Sequence, residues 1–186
     1  MDATGECVVD EDQNSPTPNP TPELSRLRVF VTSSRFQGDS LGGISQADAH
    51  CQNAASAAGL GGSFRAWISE VNNDAISGVP NSGPWYTVDR TELVFNNRSN
   101  WATTPIRKIS IDENGTDHSD DTYEALLVWT GTHSGGLAGD YEATCGNWSE
   151  VWVWGVFGIL ARNTSEWTDW SAGLCDKQYR LYCYEF

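Results

Sequence analysis

Hydrophobic and polar positions alternate over short stretches of this chain far more often than they recur at helical spacing. Arg28 to Thr32 reads Arg-Val-Phe-Val-Thr, a β-branched and aromatic strand. Ser63 to Ser69 sets Phe64, Ala66 and Ile68 against Arg65 and Trp67, the pattern of a half-buried strand. Trp85 to Val88 and Glu92 to Phe95 predict a hairpin around Asp89-Arg90-Thr91, and Ala125 to Thr130 and Tyr179 to Glu185 are two further apolar strands. One segment differs. Ala47, Cys51, Ala54, Ala55 and Ala58 recur at helical spacing, with Ser45 as the expected N-cap, Asp48 in a capping-box-like position and Gly59 as the stop. Cys51 is therefore expected on the inward face of a short helix. Gly38 to Gly43 is a loop, Asn72 to Gly83 is turn-rich with one short helix, and Ile109 to Asp121 is an acidic loop. The prediction is an α+β domain with short helices, mixed and antiparallel strands, long loops and no internal repeat.

At 186 residues the chain is expected to hold one domain of about 150 residues and a tail. The tail is assigned to residues 1–24 and the domain to 25–186. Ser15-Pro16-Thr17-Pro18-Asn19-Pro20-Thr21-Pro22 follows an acidic segment, and that composition favours an extended spacer of about 3 Å per residue. Met1 leads into Asp2-Ala3-Thr4-Gly5 without a basic or apolar region, so an export signal is expected to have been removed ahead of it. Cys7 before the spacer suggests a lipoprotein tether, although Thr4-Gly5-Glu6 makes a poor lipidation box. No stretch reaches the ~20 apolar residues of a membrane span.

The net charge of −14, with only eleven Lys and Arg, sets the electrostatic partners. A nucleic-acid binder needs a basic face to release counterions, so nucleic acid is excluded as the expected partner, and anionic polymers and membranes are disfavoured with it.

Five cysteines stand at Cys7, Cys51, Cys145, Cys175 and Cys183. None forms a C-x-x-C pair, and His50, His118 and His133 show no zinc spacing, so disulfides in an exported protein are expected rather than a metal site. Spacing alone leaves fifteen pairings open. The cysteine on an early helix, Cys145 beside Trp148, and the closing Cys175-x7-Cys183 resemble a C-type-lectin-like domain. Within that superfamily Gly43-Ile44-Ser45-Gln46-Ala47-Asp48 through Cys51, Ala58 to Ser69, Val128-Trp129-Thr130-Gly131 and Arg180-Leu181-Tyr182-Cys183-Tyr184-Glu185 are similar to the endostatin domain of basement-membrane collagens and its bacterial relatives of unknown function. The resemblance covers about Leu27 to Phe186. It implies the pairs Cys51–Cys183 and Cys145–Cys175, an extracellular or cell-surface location, and a bacterial source. The heparin and zinc binding of endostatin is not carried over, because this chain is acidic and has no N-terminal histidine. Trp167-Thr168-Asp169 and Val79-Pro80-Asn81 depart from the motifs of calcium-dependent sugar sites, so that site is expected to be absent.

Two segments carry candidate chemistry. The acidic loop Asp112-Glu113-Asn114-Gly115-Thr116-Asp117 offers oxygens at short spacing, and Asp112, Asn114 and Asp117 are its candidate calcium ligands; a solvated Asn-Gly turn is the favoured reading, and no cofactor is expected. Val151 to Leu160 is continuously apolar and supports two readings, a buried strand or an exposed ligand-facing patch. The binding face is assigned to Glu150 through Tyr179, with Trp152, Trp154, Phe157, Arg162, Asp169, Trp170 and Tyr179 as its candidate residues, and Trp167 reserved for the core. No catalytic residue is assigned: a Gly-x-Ser-x-Gly elbow and a His-Glu-x-x-His helix are both lacking. Asn97, Asn114, Asn147 and Asn163 begin sequons of no expected consequence. The expected role is a non-enzymatic recognition or adhesion module for a glycan or protein ligand. The alternatives are a hypervariable, retroelement-diversified receptor domain, or a self-associating subunit of a surface layer or filament.

Overall fold

A computed structural model describes residues 26–186. The spacer, Cys7 and the proposed tether lie outside the described residues. The chain forms an α+β fold of short strands, few helices and two disulfides. Strands β1 (Leu27–Val31), β3 (Phe64–Ala66), β4 (Trp85–Tyr86), β5 (Leu93–Phe95) and β12 (Tyr182–Glu185) make a five-stranded sheet in the order β3-β12-β1-β4-β5. The β1–β4 pair is parallel and the others are antiparallel. A second sheet orders β10 (Ser171–Leu174), β9 (Trp154–Ile159) and β6 (Leu127–Trp129), all antiparallel. The pairs β2 (Phe36–Gln37) with β11 (Gln178–Tyr179), and β7 (Thr132–His133) with β8 (Leu137–Ala138), are small ribbons. Backbone bonds between Trp129 and Arg180 and between Arg180 and Leu127 join β6 to the chain entering β12.

Helix α1 (Gly43–Ala57) buries Ala47, Cys51 and Ala55 against β3 and β12, while Ala54 and Ala58 are only partly covered. Its start differs from expectation. The N-cap is Gly42 at φ 70°, without a side-chain cap, and Ser45 lies inside the helix. Glu70 supplies the missing acceptor from across the fold, its Oε1 taking the Ile44 N–H at 2.8 Å, and Asp48 instead accepts from the Ala66 N–H of β3. A tertiary cap of this kind leaves no local motif to read. The C-terminal end closes as a Schellman motif: Leu60 N–H bonds Ala55 O, Gly59 N–H bonds Ser56 O, and Gly59 takes φ 71°.

Two cores flank the main sheet. One gathers Phe30, Phe64, Trp129, Trp148, Phe157, Tyr179 and all four bridged cysteines. The other stacks Trp67, Trp85, Phe95, Trp101, Trp167 and Tyr184. The alternation across Ser63 to Ser69 holds, with Phe64, Ala66 and Ile68 in the first core, but the segment is not half-buried: β3 ends at Ala66, and Trp67 enters the second core between Trp101 at 5.2 Å and Trp167 at 5.1 Å. The covalent links join Cys51 to Cys183 over 132 residues and Cys145 to Cys175 over 30, the pairs the resemblance implies. Arg28 and Glu185 add a buried bidentate pair, at 2.8 and 2.9 Å, between the first and last strands. Among the described residues no helix is long and apolar enough to cross a membrane.

Candidate recognition surface

The segment from Cys145 to Cys175 is launched by a strained turn. Cys145, Gly146, Asn147 and Trp148 have φ of 51°, 59°, 57° and 63°, one turn in the left-handed region where each L side chain costs about 1–2 kcal/mol. The surroundings hold it there. Trp148 N–H bonds Thr144 O, its indole donates to Ser69 O at 2.8 Å, Asn147 Oδ1 accepts from Val71 N–H, and Cys145 is tied to Cys175. Beyond this turn the chain swings outward through Glu150 and Trp152, then returns as β9.

Register sorts β9 into two faces. Gly155, Phe157 and Ile159 point inward, whereas Trp154 shares the outer face with Leu174 directly opposite it on β10. A Cβ on Gly155 would meet Cys145 Sγ at 2.5 Å, and one on Gly158 would collide with the Trp167 carbonyl, so both glycines let other chain segments close tightly over β9. The two readings of Val151 to Leu160 therefore divide at Trp154. Gly155 to Ile159 is buried strand, with Leu160 buried just past its end; Trp152 is 86 % exposed and Trp154 51 %. Trp170 is 38 % exposed at the start of the partner strand, its backbone N–H bonding Phe157 O.

Two assigned residues do not belong to the surface. Phe157 and Tyr179 are 5 % and 8 % exposed and pack in the first core, with Tyr179 4.3 Å from Trp129 and 5.1 Å from Phe157 between ring centroids. Strand parity puts Phe157 inward, and pairing with Phe36 on β2 draws Tyr179 under the fold. Arg162 is exposed and reaches Glu166 at 3.5 Å. Asp169 is half-buried, its Oδ2 accepting the Ser134 N–H at 3.1 Å and its Oδ1 lying 3.3 Å from His133 Nδ1. Trp152, Trp154 and Trp170 are thus the exposed members of the assigned aromatic set. Tyr123 joins them: its hydroxyl accepts the Trp170 indole N–H at 3.1 Å, a partner 47 residues away that no local signal marks.

In the acidic loop Asn114 to Asp117 form an exposed turn, the favoured reading of Asn-Gly, while the two carboxylates before it are drawn into the protein. Asp112 and Glu113 are buried and their carboxylates are occupied by protein donors. Asp112 Oδ1 accepts the Asn114 and Thr116 N–H groups at 2.8 Å, and its Oδ2 lies 3.0 Å from His118 Nε2. Glu113 is held by the backbone N–H and hydroxyl of Ser33. Asp117 caps the Ser119 N–H at 2.8 Å, and these hydrogen bonds, with Lys108 nearby, outweigh its partial burial to keep its carboxyl below the usual range. Beyond the loop, His118 Nδ1 and Arg180 both meet Asp121, and Arg180 also donates to Thr32 O, Ser33 O and Ala125 O. The loop is a structural clasp onto β1. No three His, Cys, Asp or Glu side chains among the described residues are grouped to hold a metal. No family model matches the chain, and no curated protein is similar to it in sequence.

Proposed function

We propose that residues 25–186 are a C-type-lectin-like recognition domain, nearest the endostatin group, that serves outside the cell or on its surface as a non-enzymatic glycan-binding module. The observation that carries this reading is the concentration of exposed indole between one pair of bridged cysteines. Trp152, Trp154 and Trp170 stand in solvent there while the other six tryptophans are fully buried. Flat aromatic faces stack on the apolar faces of sugar rings, and Arg162, Glu166 and Asp169 of the same disulfide-closed segment offer donors and acceptors for hydroxyls. The principal cavities lie elsewhere, so this face suits an extended chain laid across it better than a small molecule enclosed in it. Two disulfides are in keeping with an oxidising compartment. The test is a broad glycan array probed with the wild-type protein and with Trp154→Ala, in calcium and in chelator. Binding that survives chelator and is lost in the variant is the expected result. An array silent in both buffers would turn the assignment toward a protein partner or self-assembly on the same strip.

A further inference from the structure

A separate cavity of about 230 Å³ opens between α1, β3 and helix α2 (Ala75–Gly78), away from the exposed indoles. Its apolar wall is Ile44, Ala66, Ile68 and Ala75, and its polar wall combines Asp48, Asp74 and Tyr184, with Arg65 at the rim. The volume falls below the roughly 300 Å³ at which pockets for drug-sized ligands begin, which limits an occupant to about one six-membered ring.

Tyr184 makes this more than a surface crevice. Its side chain is 1 % exposed, and it lines the cavity without a protein hydrogen bond to its hydroxyl among the described residues. The hydroxyl is therefore free to exchange a solvent contact for one to an occupant. Gly78 keeps the space in front of it free: a Cβ there would lie 2.8 Å from the Tyr184 oxygen. The carboxylates set the charge preference. Asp48 spends Oδ1 on the Ala66 N–H, but its Oδ2 is 3.9 Å from Arg65 Nε, too far for a hydrogen bond. Arg65 instead lies 4.0 Å over the Phe186 ring, leaving Oδ2 available. Asp74 likewise uses only Oδ1, on the Ala138 N–H. Two carboxylates face one guanidinium, inside a chain of net charge −14, and the balance favours a cation.

We propose that this cavity binds a small hydroxylated amine of single-ring size, with its ammonium on Asp48 and an oxygen on the Tyr184 hydroxyl. Burial raises the Asp48 carboxyl above the usual range, the state an arriving ammonium would relieve. The site is independent of the indole strip and would stand if the strip bound no glycan.

Titration calorimetry of the whole protein at neutral pH, with glucosamine and with glucose as its neutral counterpart, tests it. Glucosamine is expected to bind and glucose to bind at least about tenfold more weakly, the ratio a charge-assisted hydrogen bond supplies. Asp48→Asn and Gly78→Ala should each weaken glucosamine about tenfold, and Tyr184→Phe about fivefold. Trp152→Ala with Trp154→Ala should leave the glucosamine affinity unchanged, which separates this site from the strip. Unfolding midpoints of every variant are read alongside, and if Gly78→Ala does not fold, the Asp48 and Tyr184 variants carry the test. Equal affinity for the two sugars, unchanged affinity in those variants, or no binding of glucosamine overturns the proposal.

Discussion

Trp67, Trp85, Trp101, Trp129, Trp148 and Trp167 lie in the two cores, each under 2 % exposed, whereas Trp152, Trp154 and Trp170 stand on the outer side of the segment between Cys145 and Cys175. The two sets also differ in their polar bonds. Five of the buried indoles donate N–H to a fixed acceptor: Thr168 Oγ1, Glu185 O, Phe36 O, Ser69 O and Thr103 O. Trp101 is the exception, its Nε1 without a partner, and it is held by stacking on Phe95 at 4.0 Å. Outside, only Trp170 makes an indole bond, and its partner is the exposed Tyr123. The fold uses the first set for packing and satisfies its polar edges. It asks almost nothing of the second, which is what a surface kept for another molecule looks like.

The largest expected effects lie in the core. Trp67→Ala, which empties the contact between Trp101 and Trp167, is expected to cost about 3–5 kcal/mol in denaturant unfolding. Replacing Cys145 and Cys175 together by serine removes the closure beneath the exposed loop. Chain-entropy bookkeeping for 30 residues gives a loss of roughly 3–4 kcal/mol, and glycan binding should weaken with it. A finer cut separates two buried indoles. Trp148→Phe strands the Ser69 carbonyl and should cost about 1–3 kcal/mol more than Trp101→Phe, which strands nothing.

A smaller effect concerns pH. Because burial raises the Asp48 carboxyl in the folded state, its contribution is present in acid and is lost as pH rises through the folded value. Asp48→Asn should therefore raise the unfolding midpoint at neutral pH relative to wild type, with the gain vanishing below the ordinary aspartate range. The smallest change is at the surface. Trp154→Ala should shift stability by less than about 0.5 kcal/mol, read by the same unfolding curves.

The scaffold was legible where period and local chemistry agree. The apolar run at Val29 to Val31, the spacing of Ala47, Cys51 and Ala55, and the Gly59 stop are written in adjacent residues. The site was legible only in part. Strand parity was visible in Val151-Trp152-Val153-Trp154, but Gly155 and Gly158 carry no side chain to continue it, so the inward turn of Phe157 was hidden. The cap of α1 by Glu70, the bond from Trp170 to Tyr123 and the cavity shared by Asp48 and Tyr184 all join residues far apart in sequence. Such meetings follow from tertiary packing, and no pattern within a short window encodes them. The left-handed turn at Cys145 to Trp148 is hidden for a related reason: its strain is sustained by a disulfide and by Ser69 and Val71, not by its own sequence.

The most direct measurement is the Trp152→Ala, Trp154→Ala double variant, followed on one preparation by thermal unfolding and by the glycan array. The account predicts an unfolding midpoint within about two degrees of wild type, as expected for surface changes, together with loss of the array signal. A midpoint lowered by ten degrees or so, or array binding that persists without both indoles, would contradict it.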